Sequence, residues 1–206
     1  MKMSNALIVR MSLRAYNTIL LHAKTYASLE IPQEEWKIVY GYLSGVIHCK
    51  DKHCLTNDIT IYDAIPMTHG NYTAVEFGVE EYVNTVRVDI ELTEGGYFLL
   101  GWYHSHPNKG LFLHDIDIIN QLAYQGPNPD AIALVVDQML VGPNSCGIEI
   151  FSLDNTVAGI IPRDPNIKMK LELPRYHTVK WKIEKELDEI KIEGPTINEL
   201  RVKEFK

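Results

Sequence analysis

Two histidines flanking a single serine, with an aspartate beyond the following turn, give this chain its most pointed chemical pattern: GWYHSHPNKGLFLHDIDIINQ, Gly101 to Gln121. Alternate residues of an extended strand project to one side, so His104 and His106 offer two imidazoles to one centre while Ser105 points elsewhere. Pro107 turns the chain. Asp117 falls in the first turn of the next helix, from which the loop can fold its carboxylate back as a third, oxygen ligand. Three protein ligands with a fourth tetrahedral position left to water describe catalytic zinc. By spacing alone, such a histidine pair is more often incidental than ligating. A second cluster, HCKDKHC, holds His48, Cys49, His53 and Cys54. Its residue types suit zinc, but the wide gap between the cysteines and the lack of a second pair favour a polar hairpin turn with incidental Cys and His.

The elements that position these residues follow from periodicity. Ser12 is suited to cap a helix in which Tyr16, Ile19, Leu20, Ala23 and Ala27 recur at helical spacing, ending near Leu29. Past Pro32, the β-rich runs Trp36 to Cys49 and Leu55 to Ile65 form an antiparallel hairpin around the charged stretch Lys50 to His53. Val79 to Leu92 makes a second helix with Tyr82, Val83, Val86 and Ile90 on one face, ended by Gly95 and Gly96. The apolar run Tyr97 to Tyr103 is a central buried strand leading straight into His104. Asp115 to Tyr124 is a helix with a stripe of Ile118, Ile119 and Leu122. Ala131 to Asp137 and Gly147 to Asp154 are further strands, and Trp181, Ile183, Leu187 and Ile190 make a helical stripe over Val179 to Ile190. The order α, β, β, α, β, α, β, β implies a mixed sheet with helices packed on it.

Bulk composition narrows the function classes. The 206 residues, 46% hydrophobic and 23% charged, suit one folded domain with an appendage. A net charge of −7 argues against general nucleic-acid binding, which needs clustered Lys and Arg. No apolar run approaches the roughly 20 residues of a membrane-spanning helix, and the N-terminus does not read as a cleaved signal. Three cysteines, Cys49, Cys54 and Cys146, cannot build a disulfide framework and fit a reducing compartment, so a cytoplasmic protein is expected.

GWYHSHP, the spacing to Asp117 and the apolar strand before it, together with GYLSG at Gly41 to Gly45 and AIALVVD at Ala131 to Asp137, resemble the MPN/JAMM (Mov34/PAD-1) family, most closely its proteasome-lid deubiquitinase branch. The resemblance covers roughly Ile8 to Asp154. It implies an α/β (α+β) fold, a mixed, mainly antiparallel central sheet flanked by helices in a cytidine-deaminase-like architecture. The domain is expected over 1–160, with 161–206 as a partly helical appendage. It also implies a zinc-dependent isopeptidase acting on ubiquitin or ubiquitin-like conjugates, with His104, His106 and Asp117 matching the zinc ligands.

Two positions depart from the family. Active members carry a Glu three residues before the glycine matching Gly41, and this chain has Ile38 there. Losing that general acid–base removes about 10²- to 10⁴-fold in rate. A three-residue bulge would instead bring Glu35 into the site as base. Where the family has an oxyanion-binding Ser, this chain has His114, for which three roles stay open: oxyanion donor, fourth metal ligand or solvent-facing helix cap. Asp115 is read as a helix-start acid ahead of an orienter of a ligating imidazole. An inactive interaction module, paired with a second MPN-domain protein or held in a proteasome-like assembly, is the competing function. A third is capture of a ubiquitin-like tail along strand edges and the loop from Thr68 to Phe77, without cutting it.

Overall fold

A computed structural model of the chain describes residues 7–49, 57–70, 79–156 and 173–189. Strand β1 (Ile8–Ser12) precedes helix α1 (Leu13–Tyr26), which starts where the Ser12 hydroxyl accepts a hydrogen bond from the Ala15 amide at 2.9 Å. The helix buries Ala15, Ile19, Leu20 and Ala23. The expected hairpin is present as β2 (Ile38–Cys49) and β3 (Asn57–Gly70). Because β3 runs on to Gly70, Thr68 to Gly70 are strand and not loop, while residues 71–77 of the expected loop lie outside the described residues. Then follow α2 (Val79–Glu94), β4 (Phe98–Ser105), α3 (Asp115–Gln125), β5 (Ile132–Val136) and β6 (Ile148–Leu153). No helix among the described residues is long and apolar enough to cross a membrane.

Two strands end the described chain, β7 (Tyr176–Thr178) and β8 (Lys180–Glu184). They correct the helix read over Val179 to Ile190: among its described residues only Lys185–Glu189 coils, as a 3-10 turn. Trp181 and Ile183 satisfy a period of two as well as a helical one, and here sheet pairing decides between them. β1 was also absent from the expected order, since five residues ahead of a capped helix carry too little periodicity.

The strand order is β7-β6-β5-β4-β2-β3-β1-β8. β2 is antiparallel to β3 and β4, β6 to β5 and β7, whereas β1–β3, β1–β8 and β4–β5 are parallel. The sheet is thus mixed and mainly antiparallel, as expected. Its two terminal strands are neighbours in sequence, separated by Val179 alone, so one segment pairs with both ends and curls the sheet almost into a barrel. The Val179 amide donates to the Ile150 carbonyl at 2.8 Å, and the Trp181 indole N–H donates to Glu149 Oε1 at 2.9 Å. The Arg14 amide, in the first turn of α1, donates to Asp188 Oδ1 at 2.9 Å.

Alternation along the strands builds a core on each face. Val39, Leu43, Tyr103, Ile132 and Leu134 pack with Ile19 and Ala23 of α1. Tyr40, Tyr42, Trp102, Ala133 and Val135 pack with Val88 of α2 and Ile118 of α3. In α3 the expected apolar stripe is rotated: Ile118 is buried, but Ile119 is 41% exposed while Asp117, Gln121 and Gln125 point inward. Hydrogen bonds at that interface, described below, outweigh the hydrophobic pattern.

The closing segment predicts a measurable loss of stability. Trp181→Ala removes an indole packed on the α1-side core and its bond to Glu149, and is expected to cost about 2 kcal/mol in equilibrium urea unfolding. A change under about 0.5 kcal/mol would show that the segment does not stabilise the sheet.

Candidate metal centre

β4 brings the histidines to the site because its pairing with β2 ends there: Tyr40 lies opposite His104, and beyond that point β4 continues only beside β5, through Ser105 opposite Val136. Gly101 permits the close approach of β4 and β5 just upstream. Its φ is +145°, and a Cβ there would lie 1.9 Å from the Ile132 carbonyl oxygen. Past the strand, the His106 amide donates to Val136 O at 2.8 Å, and the chain turns through Asn108, which has φ 57°.

His104 and His106 are both 2% exposed and Asp117 is 6% exposed. Their donor atoms all lie within 4.8 Å of one another, and among the described residues they form the only such group of His, Cys, Asp or Glu. The two Nε2 atoms are 3.1 Å apart, Asp117 Oδ1 is 3.4 Å from His104 Nε2, and Asp117 Oδ2 is 3.5 Å from His106 Nε2. Ligands of tetrahedral zinc, held at about 2.0–2.1 Å, stand about 3.3 Å from each other. The three side chains therefore already hold the spacing of one triangular face of such a site, with a borderline-soft donor set that suits zinc.

Local bonds fix this face. His106 Nδ1 lies 3.3 Å from the Gly110 carbonyl, and in the tautomer that donates to it the Nε2 lone pair is turned to the centre. Gly110 is held in turn by Asp137, a buried carboxylate accepting from the amides of Asn108 (3.0 Å), Gly110 (2.9 Å) and Met139 (3.1 Å). Burial pushes the His106 pKa down, against the opposing pull of Asp117. Burial alone would raise the Asp117 carboxyl, but His104, His106 and the His114 amide outweigh it and hold the group well below the usual carboxylate range. A neutral imidazole and an ionised carboxylate are the forms that bind a metal.

The other sequence candidates are not members of this face, though one of them borders it. His114 is the residue ahead of α3; its amide donates to Asp117 Oδ2 at 2.8 Å and its Nδ1 lies 3.3 Å from the same oxygen. Its side chain is 44% exposed, with its ring 4.7 Å from that of His106. It borders the converging set and is not part of it. Glu35 ends an exposed 3-10 turn. The next residue, Trp36, is tied by its indole N–H to the carbonyls of Ser28 and Ile31, and Ile38, Val39 and Tyr40 pair with Gly70, His69 and Thr68 without a shift in register. The first register shift of β2 falls beyond them, between Tyr40 and Gly41, and Glu35 stays in the exposed turn ahead of the strand. Ile38 is buried on the same side of β2 as Tyr40, the partner of His104. Asp115 is exposed in the first turn of α3. His48 is exposed with Nε2 3.2 Å from Thr60 Oγ1, while the Cys49 side chain, His53 and Cys54 lie outside the described residues.

Sequence reasoning missed Asp137 and Gln121. Asp137 closes the quoted AIALVVD run, and an acid directly after a buried strand was its only signal. Gln121 accepts from the Trp102 indole N–H at 2.9 Å, a contact that no spacing announces. Asp137→Ala takes the acceptor from three part-buried amides and is expected to cost about 2 kcal/mol of stability in thermal unfolding. It is also expected to weaken zinc binding at least about tenfold in a competition titration. Unchanged affinity would mean that His106 does not depend on this clamp.

The family described as JAB1/Mov34/MPN/PAD-1 ubiquitin protease matches residues 6–130, more than half of the chain. Ubiquitin carboxyl-terminal hydrolase RPN11 of Saccharomyces cerevisiae is 29% identical over 109 residues, 52% of this chain and 35% of that protein. COP9 signalosome complex subunit 5 of Neurospora crassa is 28% identical over 169 residues, 73% of this chain and 45% of that protein. The 26S proteasome regulatory subunit rpn11 of Schizosaccharomyces pombe is 34% identical over 67 residues, 32% of this chain and 22% of that protein. The chain thus spans less than half of the length of each of these relatives. The solution structure of protein DSY2949 from Desulfitobacterium hafniense shares the fold, with a TM-score of 0.55 at 14% identity over 87% of this chain and 95% of that one. With a family match that runs from β1 through α3 and takes in the motif carried by β4 and α3, this chain belongs to the JAB1/Mov34/MPN/PAD-1 family.

Proposed function

We propose that this chain is a zinc-binding JAMM-type metalloisopeptidase that removes ubiquitin or ubiquitin-like modifiers, with the general base altered. The observation that carries the proposal is the buried triangle of His104, His106 and Asp117, whose edges of 3.1, 3.4 and 3.5 Å fit a tetrahedral metal face. A bound zinc ion would polarise a carbonyl and bring the pKa of its water toward about 7. The imidazoles of His104 and His106 and the ionised Asp117 would hold it. His114, half-exposed beside His106, would offer an N–H to a developing oxyanion, work done by a Ser elsewhere in the family. The family likeness to RPN11 and to COP9 signalosome subunit 5 supports ubiquitin-like conjugates as the substrate class.

Ile38 favours a second reading. A buried aliphatic side chain stands in the place of the family's Glu, and the exposed Glu35 is not built into the face in its stead. The domain would then bind metal and partner without turnover, as an interaction module beside a second MPN-domain protein or within a multi-subunit assembly. Relatives named as subunits of the 26S proteasome and the COP9 signalosome support that alternative.

The two readings part in one experiment on the purified chain. The isopeptidase is expected to hold about one equivalent of zinc and to cleave isopeptide-linked di-ubiquitin slowly. Chelator or His104→Ala should abolish both, and Ile38→Glu should raise the rate about 10²-fold or more. Zinc without cleavage by either the parent or Ile38→Glu would overturn the enzyme and leave the interaction module. A well-folded parent holding no zinc would overturn the metal site itself.

A further inference from the structure

The two imidazoles of the metal face are held by different means. His106 has a backbone acceptor for its outer nitrogen, the Gly110 carbonyl. His104 does not: its Nδ1 is buried with no hydrogen-bond partner among the described residues. A metal-binding histidine is usually oriented by a hydrogen bond at its outer nitrogen, so something else must fix this ring. The indole of Trp102 lies flat on it, with centroids 4.5 Å apart and planes 14° from parallel, and Tyr124 of α3 stacks 6.0 Å away on Trp102 at 16°.

A stack fixes the tilt of a ring but resists sliding and in-plane rotation only weakly, so its partner must itself be pinned. Indole has one donor. The Trp102 N–H donates to Gln121 Oε1 at 2.9 Å, within the core. The amide of Gln121 is fully engaged, because Nε2 donates to the Ala131 carbonyl at 2.8 Å and to Gln125 Oε1 at 3.1 Å. Gln125 is fixed in turn on β6: Nε2 donates to the Leu153 carbonyl at 2.9 Å, and Oε1 accepts from the Leu153 amide at 2.8 Å. A flipped Gln121 amide would set NH₂ against the indole N–H and its oxygen against the Ala131 carbonyl and Gln125 Oε1, so the chain of bonds has one orientation. Asp117, Gln121 and Gln125 recur at intervals of four on the buried side of α3. The same helix face therefore supplies the carboxylate ligand and the anchor for the ring behind the imidazole ligand.

We propose that Gln121 is a positioning residue for the metal centre: by pinning the Trp102 indole, it sets the plane of His104 in the absence of a hydrogen bond to His104 Nδ1. The assignment rests on the reading that the triad holds a metal. Its effect is on affinity and coordination geometry, since neither Gln121 nor Trp102 belongs to the ligand set.

The test is a cobalt(II) titration of the full chain, following the visible d–d bands, with zinc competition for the affinity. Gln121→Met removes the acceptor at nearly constant volume, and Trp102→Phe keeps an aromatic face against His104 while removing the N–H. Each is expected to weaken metal binding about 10- to 100-fold and to alter the d–d envelope. The double variant should bind no more weakly than the weaker single, because both changes break the same bond. Should Gln121→Met fail to fold, Trp102→Phe carries the test alone. Parental affinity and an unchanged cobalt spectrum in a folded single variant would overturn the role, as would full additivity in the double. A folded parent that binds neither ion would instead overturn the metal reading, and the positioning role with it.

Discussion

A buried carboxylate must be answered by its surroundings, and around Asp117 that requirement shapes the local structure. Its charge is met by two imidazoles, an approaching third and the His114 amide at the head of its own helix. This works only if α3 begins where β4 ends, since His104 and His106 project from the last strand residue pair and the turn beyond it. The loop between them is accordingly not free to vary. Asp137 holds it from beneath by accepting from the Asn108 and Gly110 amides, so a second buried carboxylate stabilises the geometry of the first.

The same demand explains why α3 is unlike an ordinary amphipathic helix. Its buried side carries Asp117, Gln121 and Gln125, and its outer side carries Ile116 and Ile119, each 41% exposed. Turning the isoleucines inward would bury more apolar surface, at about 25 cal/mol per Å². It would also break the amide chain from Trp102 through Gln121 and Gln125 to Leu153, leaving buried polar groups unpaired at about 1–3 kcal/mol each. The polar face wins because every member of the chain is satisfied. Core packing, helix orientation and ligand placement are one arrangement here.

A third constraint acts from the far side of the sheet. Tyr176–Glu184 pairs with β6 at one end of the strand order and β1 at the other, and so curls the sheet on itself. Tyr176 also reaches the loop before α3, its hydroxyl accepting from the Leu113 amide at 3.4 Å, and packs edge-on against Phe151. The outer edges of β6 and β1 are in this way covered by the short strands β7 and β8.

What the sequence determined by itself was local. Alternation put His104 and His106 on one side of a strand, a helix start fell in place to carry Asp117, and Ser12 capped α1 as its side chain allows. Ile38 and His114 were visible as departures from the family because a motif of fixed spacing can be read position by position. Tertiary structure decided the rest. Trp181 and Ile183 fit a helix or a strand until β1 supplied a partner, and Glu35 could be counted as a base until the chain folded it into an exposed turn ahead of β2. Asp137 and Gln121 act through residues distant in the chain, on a loop amide and an indole N–H. Periodicity reports which side of an element is apolar. It does not report which buried polar atom will meet which, since that is settled only when all the elements are packed and each donor has found its acceptor.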